Sequence, residues 1–371
     1  MAIENEYLFK QLKMKKHNFS AGPSILAQEV LDQAASAVLN FNNSNLSVLE
    51  VSHRGNDFNH VMNTAKLLVK ELLNIPQEYE VLFLQGGASL QFYMSALNYM
   101  GTHNTGGYID TGTWSSKAIK EANKTGRSIT ISSSKDKNYN YIPKDNYIST
   151  PIDYLHFTSN NTIYGTQFHK FPQKDNLKLP IICDMSSDIM SREFDITNFD
   201  LIYAGAQKNI GPAGTTLVII KKNTINLNKL PSYLSYHNHI DKGSMFNTPP
   251  VFSIYVCMLT LEWLKNKGGI KTISEKNNAK ANLMYQTIDN NPLFEGVVEN
   301  EDRSIMNATF KLKEEHDGLK SQFETMCQES GIIGINGHRS VGGYRASMYN
   351  ALEIESVDTL CQIMNYILKK S

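Results

Sequence analysis

The chain carries the stretch DLIYAGAQKNIGPAG at residues 200–214. Its apolar start predicts a short buried strand, and the glycines and proline that follow Lys208 predict a tight turn. An apolar strand leading into this lysine would partly desolvate the ammonium and favour the neutral, nucleophilic amine. Most lysines are solvated surface charges, so Lys208 on its own is only a candidate for covalent chemistry with an aldehyde.

A second apolar stretch, PIICDMSS at residues 180–187, ends on a carboxylate. Asp184 would follow a buried strand, where an aspartate often only caps the next helix. An aspartate and then a lysine after successive short strands can both emerge at the carboxyl edge of a parallel sheet, where ligands of open α/β folds bind. A lysine and an aspartate partner for the pyridine nitrogen are what pyridoxal phosphate (PLP) requires, so the pair indicates a PLP site.

Composition is that of an ordinary globular protein. The chain has 371 residues, 41% of them hydrophobic, with 36 basic and 36 acidic residues. This length allows about two domains, and the balanced charge gives no indication of a nucleic-acid or membrane partner. No apolar run reaches the roughly 20 residues of a membrane span and no secretory signal is evident, so we expect a cytoplasmic protein. Four scattered cysteines predict buried thiols rather than disulfides or a metal site.

Short apolar runs alternate with helical patterns through the middle of the chain. This alternation predicts an α/β fold with a mostly parallel seven-stranded sheet. The predicted strands cover residues 81–84, 108–110, 128–132, 154–158, 180–183, 201–204 and 215–220. The predicted helices that precede them cover residues 25–41 and 58–73, the second with Asp57 as its cap.

A long amphipathic helix is predicted at residues 251–267, before a smaller α+β unit. Strands near 306–312 and 344–349 and helices near 319–330 and 357–369 make up that unit. We therefore divide the chain into an N-terminal extension at residues 1–15, a large domain at 16–255 and a small C-terminal domain at 256–371.

A pair of glycines, Gly86 and Gly87, separates the first predicted strand from a helical pattern. Such a turn exposes backbone N–H groups at a helix N-terminus, which favours a phosphate dianion. Plain strand-to-helix connections look the same, and the segment is neither a dinucleotide-binding fingerprint nor a P-loop. Because Lys208 and Asp184 indicate a PLP site, we interpret this turn as the binding site for the PLP phosphate.

Two further strand ends carry candidate cofactor contacts. Trp114 follows a glycine just after a predicted strand, where its flat ring could stack on a pyridine, although a tryptophan is usually core. Thr162 follows the strand at 154–158 and could donate a hydroxyl to the cofactor's phenolate oxygen. Taken alone, the segment around Thr162 is better described as a polar turn.

Histidine and arginine stand side by side twice in the sequence. His53-Arg54 and His338-Arg339 are each flanked by glycine, and Arg345 follows the second pair. Arginine binds carboxylates and phosphates through two parallel hydrogen bonds, and histidine adds a further hydrogen-bond donor. The repetition indicates a substrate that bears both a phosphate and a carboxylate.

With these segments in place, the chain resembles the phosphoserine aminotransferase family, a class-V family of the fold-type I PLP enzymes. The resemblance runs from about residue 16 to 371, and the motifs occur in the family's order. They are FSAGP (19–23), SHRG (52–55), QGGAS (85–89), DMSS (184–187), NTPP (247–250) and the segments 203–214 and 337–350.

The resemblance implies a PLP-transferase fold of type I and a role for each matching residue. Lys208 joins the cofactor aldehyde covalently, Asp184 pairs with the pyridine nitrogen, and Trp114 stacks on the ring. Thr162 bonds the phenolate oxygen. The residues implied to hold the cofactor phosphate are Ala88, Ser89 and Gln207, with Asn247 and Thr248 from the second subunit of a homodimer.

For the substrate, the resemblance implies that Arg345 binds the α-carboxylate. The substrate phosphate is expected among His338, Arg339 and, from the other subunit, His53 and Arg54. Some family members carry arginine where this chain has Ser89, which leaves one cation fewer in the phosphate pocket.

The implied reaction converts 3-phosphohydroxypyruvate and L-glutamate into O-phospho-L-serine and 2-oxoglutarate, in serine biosynthesis. A second activity, on 4-phosphohydroxy-L-threonine in pyridoxine biosynthesis, would use the same site. The alternatives are another class-V PLP enzyme, either an aminotransferase of the alanine-glyoxylate type or a cysteine desulfurase, and a non-catalytic nucleotide-binding protein. A desulfurase would need a reactive cysteine in a polar loop, whereas Cys327 falls in a helical pattern.

Overall fold

The structure, a computed structural model, describes residues 16–145 and 148–370. The predicted N-terminal extension, residues 1–15, lies outside the described residues. The strands are β1 His17–Asn18, β2 Tyr79–Leu84, β3 Thr105–Asp110, β4 Arg127–Ser133, β5 Tyr154–Thr158, β6 Asn160–Asn161, β7 Thr166–Gln167, β8 Ile181–Asp184, β9 Leu201–Gly205, β10 Thr216–Lys221, β11 Phe294–Gly296, β12 Asn307–Leu312, β13 Ile332–Ile333 and β14 Tyr344–Ser347. The α-helices are α1 Gln28–Leu39, α2 Asn56–Leu72, α3 Gly87–Tyr99, α4 Thr113–Ala122, α5 Lys174–Leu177, α6 Tyr236–Asp241, α7 Val251–Asn266, α8 Gly269–Asn290, α9 Lys320–Glu329 and α10 Ile354–Leu368.

A seven-stranded sheet forms the middle of the large unit, in the order β2-β10-β9-β8-β5-β3-β4. Strand β10 runs antiparallel to both of its neighbours, and every other neighbouring pair is parallel. The prediction of an α/β fold with a mostly parallel seven-stranded sheet is confirmed. Each of the seven strands predicted for it overlaps one strand of this sheet.

Helices cover both faces of the sheet, because alternate residues of each strand point to opposite sides. In β2, Val81 and Phe83 join a core formed with α1, α2 and α7. Their neighbours Leu82 and Leu84 join a separate core formed with α3 and α4. The strands are therefore buried on both faces, as the near-continuous apolar runs of parallel sheets require.

Two local predictions about helices were wrong. Helix α2 begins at Asn56 with Gly55 at its cap position, so Asp57 lies inside the first turn instead of capping the helix. Helix α7 is buried around almost its whole circumference, not on one face only. It packs into the large core between α1 and α2, so no polar face is needed.

The second unit has its own sheet and core. Strands β11, β12 and β14 form an antiparallel sheet, packed with α8, α9 and α10 around Phe294, Phe310 and Phe323. Phe19 and Ile25, from the start of the described chain, also belong to this core. Strand β1 pairs with β13 beside it.

Residue 256, where the sequence analysis divides the chain, lies inside α7. The side chains of that helix belong to the large core up to Leu264. Ile270 and Ile273, at the start of α8, also belong to the large core, whereas Ala281, Met284 and Ile288 belong to the second one. We therefore propose that the division falls within α8.

Helix α8 was not predicted, although its buried positions have helical spacing. Asn277 and Lys280 occupy two of them, so polar residues interrupt the apolar repeat. Among the residues that the structure describes, no helix combines the length and the apolar composition needed to cross a membrane.

Candidate active site

A cavity of about 360 Å³ opens at the carboxyl edge of the central sheet. Strands β5 and β8 end there, and β9 leads into it through the turn that carries Lys208. Its walls come from both units. The predicted residues that line it are Ala88, Ser89, Trp114, Thr162, Asp184, Gln207, Lys208, His338 and Arg345.

Hydrogen bonds hold the turn around Lys208 on both sides. The Lys208 carbonyl accepts a hydrogen bond from the Ser24 hydroxyl, and the amide of Ser24 donates to the Gln207 carbonyl over 2.9 Å. The side-chain amide of Asn209 donates to the carbonyls of Ser187 and Ile189, each over 3.2 Å. The lysine therefore stands on a turn that is tied to the loop after β8.

Burial lowers the pKa of Lys208 to about 8. This value already includes the carboxylates of Asp184 and Asp188, which raise the pKa, and the positive charge of Arg345, which lowers it. An amine with this pKa is roughly one-tenth neutral at pH 7. Lys208 can therefore act as a nucleophile or as a base near neutral pH.

Asp184 lies at the end of β8 and is 4% exposed. It accepts hydrogen bonds from the amide and hydroxyl of Ser186, over 2.9 and 2.6 Å. Burial raises its pKa, while the two hydrogen bonds and the charge of Lys208 act in the opposite direction. A buried carboxylate in this position would be stabilised by a further cation in the cavity.

The glycine turn before α3 presents the helix N-terminus to the cavity. Gly86 has a φ of 90°, and a Cβ on it would lie 2.5 Å from the Leu90 side chain, so only glycine fits there. A Cβ on Gly87 would meet nothing within 4 Å, because the space beside it is open. The amides of the first turn, which includes Ala88 and Ser89, have no partners within the helix and can bind an anion.

Three predicted residues form a connected wall on another side. The indole Nε1 of Trp114 donates to the Thr162 hydroxyl over 3.0 Å, and Nη1 of Arg345 donates to the Thr162 carbonyl over 2.9 Å. The Thr162 hydroxyl accepts the indole hydrogen and keeps its own proton to donate. The buried Nε of Arg345 has no hydrogen-bond partner among the described residues. Nζ of Lys208 lies 6.0 Å from the centre of the Trp114 ring.

The other predicted site residues do not line this cavity. They are His53, Arg54, Asn247, Thr248 and Arg339. His53 is half-buried, and the other four are exposed. The carbonyl of Thr248 accepts a hydrogen bond over 2.9 Å from Nε2 of Gln85, the residue that follows β2.

Sequence reasoning missed several polar residues of the cavity wall, among them Thr158, Asn160 and Ser186. The Thr158 hydroxyl is buried and has no hydrogen-bond partner within the described ranges. Thr158 pairs in register with Asp184, so its position at a strand end was a signal that could have found it.

The chain is similar to known proteins along nearly its whole length. The model of the family "Aminotransferase class-V" matches residues 16–360. The chain is 55% identical over 361 residues to the phosphoserine aminotransferase of Flavobacterium psychrophilum, covering 96% of this chain and all of that protein.

Two solved structures are similar along nearly the whole chain. The phosphoserine aminotransferase from Bacillus circulans subsp. alkalophilus has a TM-score of 0.91 and 41% identity, covering 96% of this chain and 99% of that one. A PLP-bound phosphoserine aminotransferase from Trichomonas vaginalis has a TM-score of 0.88 and 35% identity, covering 95% of this chain and all of that one.

Proposed function

Because the chain belongs to the class-V aminotransferases, we propose that it is a phosphoserine aminotransferase that uses PLP. It transfers an amino group from L-glutamate to 3-phosphohydroxypyruvate, which gives 2-oxoglutarate and O-phospho-L-serine. One observation carries the proposal: Lys208, Asp184 and Arg345 line the same cavity. An amine, a buried carboxylate and a carboxylate-binding fork are the groups that such a transfer requires.

Three features of the cavity support PLP as the group that it binds. The buried carboxylate of Asp184 suits a protonated ring nitrogen, and the open space at Gly87 leaves room for a phosphate on the amides of α3. The hydroxyl of Thr162 retains a proton for the phenolate oxygen. Lys208 would hold the aldehyde carbon, and Trp114 would cover one face of the ring.

When bound, PLP supplies the electron-withdrawing ring that stabilises the negative charge left at the substrate Cα. With the cofactor bound, Lys208 would take the proton from that carbon and return a proton to C4′, first as base and then as acid. Asp184 would keep the ring nitrogen protonated. Arg345 turns the substrate carboxylate so that the Cα proton faces Lys208.

The positive charge around His338 supports a phosphorylated substrate. Burial and the charges of Arg345, Arg339 and Lys117 lower the pKa of His338. Among the described residues, no carboxylate forms an ion pair with any of these cations. A phosphate dianion would supply the missing negative charge.

We further propose that a homodimer completes the site. His53, Arg54, Asn247 and Thr248 lie outside the cavity of their own chain. In a two-fold dimer the same residues of a second copy can reach the opposite site. Asn247 and Thr248 would add to the cofactor phosphate, and His53 and Arg54 to the substrate phosphate. A cytoplasmic location and roles in serine and pyridoxine biosynthesis follow from this assignment as proposals.

The reaction is tested with the PLP-loaded protein. Phosphoserine, glutamate and alanine are added in separate samples, and absorbance shows which amino acid converts the cofactor from its aldehyde to its amine form. Conversion by phosphoserine and glutamate, but not by alanine, supports the proposal. Conversion by alanine alone would favour an enzyme of the alanine-glyoxylate type. A colourless protein that binds no PLP would indicate a non-catalytic binding protein.

A desulfurase is disfavoured because Cys327 is buried in α9, where burial raises its pKa to about 12.

Two arginine substitutions should separate the recognition of the two anionic ends. Losing one charge-assisted contact costs about 1.5–3 kcal/mol, or roughly one to two powers of ten in affinity. Arg339→Ala should raise the KM for phosphoserine by that factor and leave the KM for glutamate nearly unchanged. Arg345→Ala should raise both KM values, because both substrates carry an α-carboxylate. Equal effects of Arg339→Ala on the two substrates would contradict the assignment of Arg339 to phosphate.

Mixing two defective variants tests the shared site. A hybrid of an Arg54→Ala chain and a Lys208→Ala chain has one site with both residues intact and one site with both removed. Random exchange gives half hybrids, so about a quarter of wild-type activity should return at subsaturating phosphoserine. Mass spectrometry of the intact dimers checks that exchange occurred. Activity no higher than the average of the parents, after confirmed exchange, would rule out a site shared in this way.

A further inference from the structure

Lys280 is a buried cation for which the proposed chemistry has no use. It lies in α8 and is 2% exposed. Its ammonium donates to three backbone carbonyls, those of Met348, Tyr349 and Leu352, over 3.1, 2.8 and 2.9 Å. Within the described part of the chain, no carboxylate forms an ion pair with it.

Burying a charge without a counter-charge is costly, and an apolar side chain of similar shape would avoid that cost. The surroundings of Lys280 lower its pKa to about 7, mainly through burial. The charge of Glu353 raises this pKa and the charge of Lys276 lowers it, and both effects are included in the value. Three carbonyl acceptors account for all three hydrogens of the ammonium. The arrangement therefore fixes the backbone at residues 348–352 in one geometry.

That backbone segment connects directly to the site. It follows β14, the strand that carries Arg345. The Tyr349 hydroxyl donates to the carbonyl of Ala21, a residue of the cavity wall, over 2.9 Å. The amide of Asn350 donates to the side-chain carbonyl of Asn209, the neighbour of Lys208, over 3.1 Å.

Helix α8 holds the same segment at a second point. Asn277, one turn before Lys280, donates to the side-chain oxygen of Asn350 over 2.9 Å and to the carbonyl of Ser191 over 3.1 Å. Asn350 in turn donates to the carbonyl of Met190 over 2.9 Å. These bonds connect the helix of the second unit to the loop after β8, which follows Asp184.

We propose that Lys280 is a positioning residue, which clamps residues 348–352 and thereby sets the placement of Arg345 and, through Asn350 and Asn209, of Lys208. The inference rests on the proposed function only in taking Arg345 and Lys208 as the working groups. Lys280 itself is not among the residues that line the cavity.

The test compares Lys280→Met with Lys280→Gln in the PLP-loaded enzyme. Methionine has similar length and no donor, so all three carbonyls lose their partner, whereas the glutamine amide keeps two donors. Lys276→Met is the matched control, because Lys276 lies one turn away on α8 and is exposed. A shift of about 1 Å in an active site costs up to roughly 10²-fold.

We expect Lys280→Met to raise the KM for both amino-acid substrates by about tenfold, with a smaller rise for Lys280→Gln and none for Lys276→Met. The second measurement is the pH titration of the bound cofactor's absorbance, which reports the surroundings of Lys208. Its midpoint should shift in the Lys280 variants and stay at the wild-type value in Lys276→Met.

A purely structural role would give a different result. The Lys280 variants would then unfold at a lower temperature, yet keep wild-type KM values and the wild-type titration midpoint, and the proposal would be overturned. If Lys280→Met does not fold, Lys280→Gln decides between the two outcomes. The absorbance titration needs no substrate, so it remains decisive even if the enzyme proves to use an amino acid other than phosphoserine.

Discussion

Replacing Lys208 by alanine is expected to lower turnover by roughly four orders of magnitude or more, because one side chain has two roles. The nucleophile that holds the cofactor and the base that moves the Cα proton disappear together. The fold should survive, since the turn is held by backbone contacts and by Asn209, none of which uses the Lys208 ammonium. Single-turnover rates with phosphoserine and the absorbance of bound PLP measure the two losses separately.

A matched control is Lys221→Ala. Lys221 ends β10, the neighbour of β9, and because β10 runs antiparallel this end lies at the opposite edge of the sheet. Its removal should leave turnover unchanged. Near-normal transamination by the Lys208→Ala variant would remove Lys208 from the chemistry, whatever the family of the chain.

The positions of the main site groups could be predicted because strand ends are visible in the sequence. Apolar runs fix where β8 and β9 end, and parallel ends meet at one edge, so Asp184 and Lys208 were expected close together, and both line the same cavity. Thr158 was missed although it ends β5 beside Asp184, because a threonine at a strand end carries no chemistry that sets it apart in the sequence. In the structure, its buried hydroxyl has no hydrogen-bond partner among the described residues, which draws attention to it.

The C-terminal part of the fold was harder to predict. Helix α8 brings Asn277 and Lys280 into its buried face, and a pattern of apolar positions does not reveal a helix whose core contacts are polar. The contributions of Arg54 and Thr248 illustrate a second limit. A linear sequence names residues without indicating which copy of the chain supplies them, so both assignments stay predictions, and the hybrid experiment tests that of Arg54.

Asp184→Asn is expected to keep the cofactor bound and to lose most of the activity. Lys208 and the amides of α3 do not depend on the Asp184 charge for holding PLP, but a neutral amide no longer favours a protonated ring nitrogen. Removing one partner of a buried charge pair costs about 3–5 kcal/mol, which corresponds to roughly 10²- to 10⁴-fold in rate. The measurement is the single-turnover rate with phosphoserine at saturating PLP.

Asp200→Asn supplies the comparison that makes this result specific. Asp200 is another buried carboxylate, and it precedes β9 at the opposite edge of the sheet. It accepts a hydrogen bond from the amide of Ile181 over 2.9 Å and forms an ion pair with Lys174. An asparagine there removes a buried charge at a distance from the cavity, so it should lower the unfolding temperature and spare the rate. If both variants lost activity to the same extent, the loss would reflect a weakened fold. If Asp184→Asn turned over at the wild-type rate, Asp184 would serve only to hold Ser186, and the partner of the ring nitrogen would have to be another group of the cavity wall.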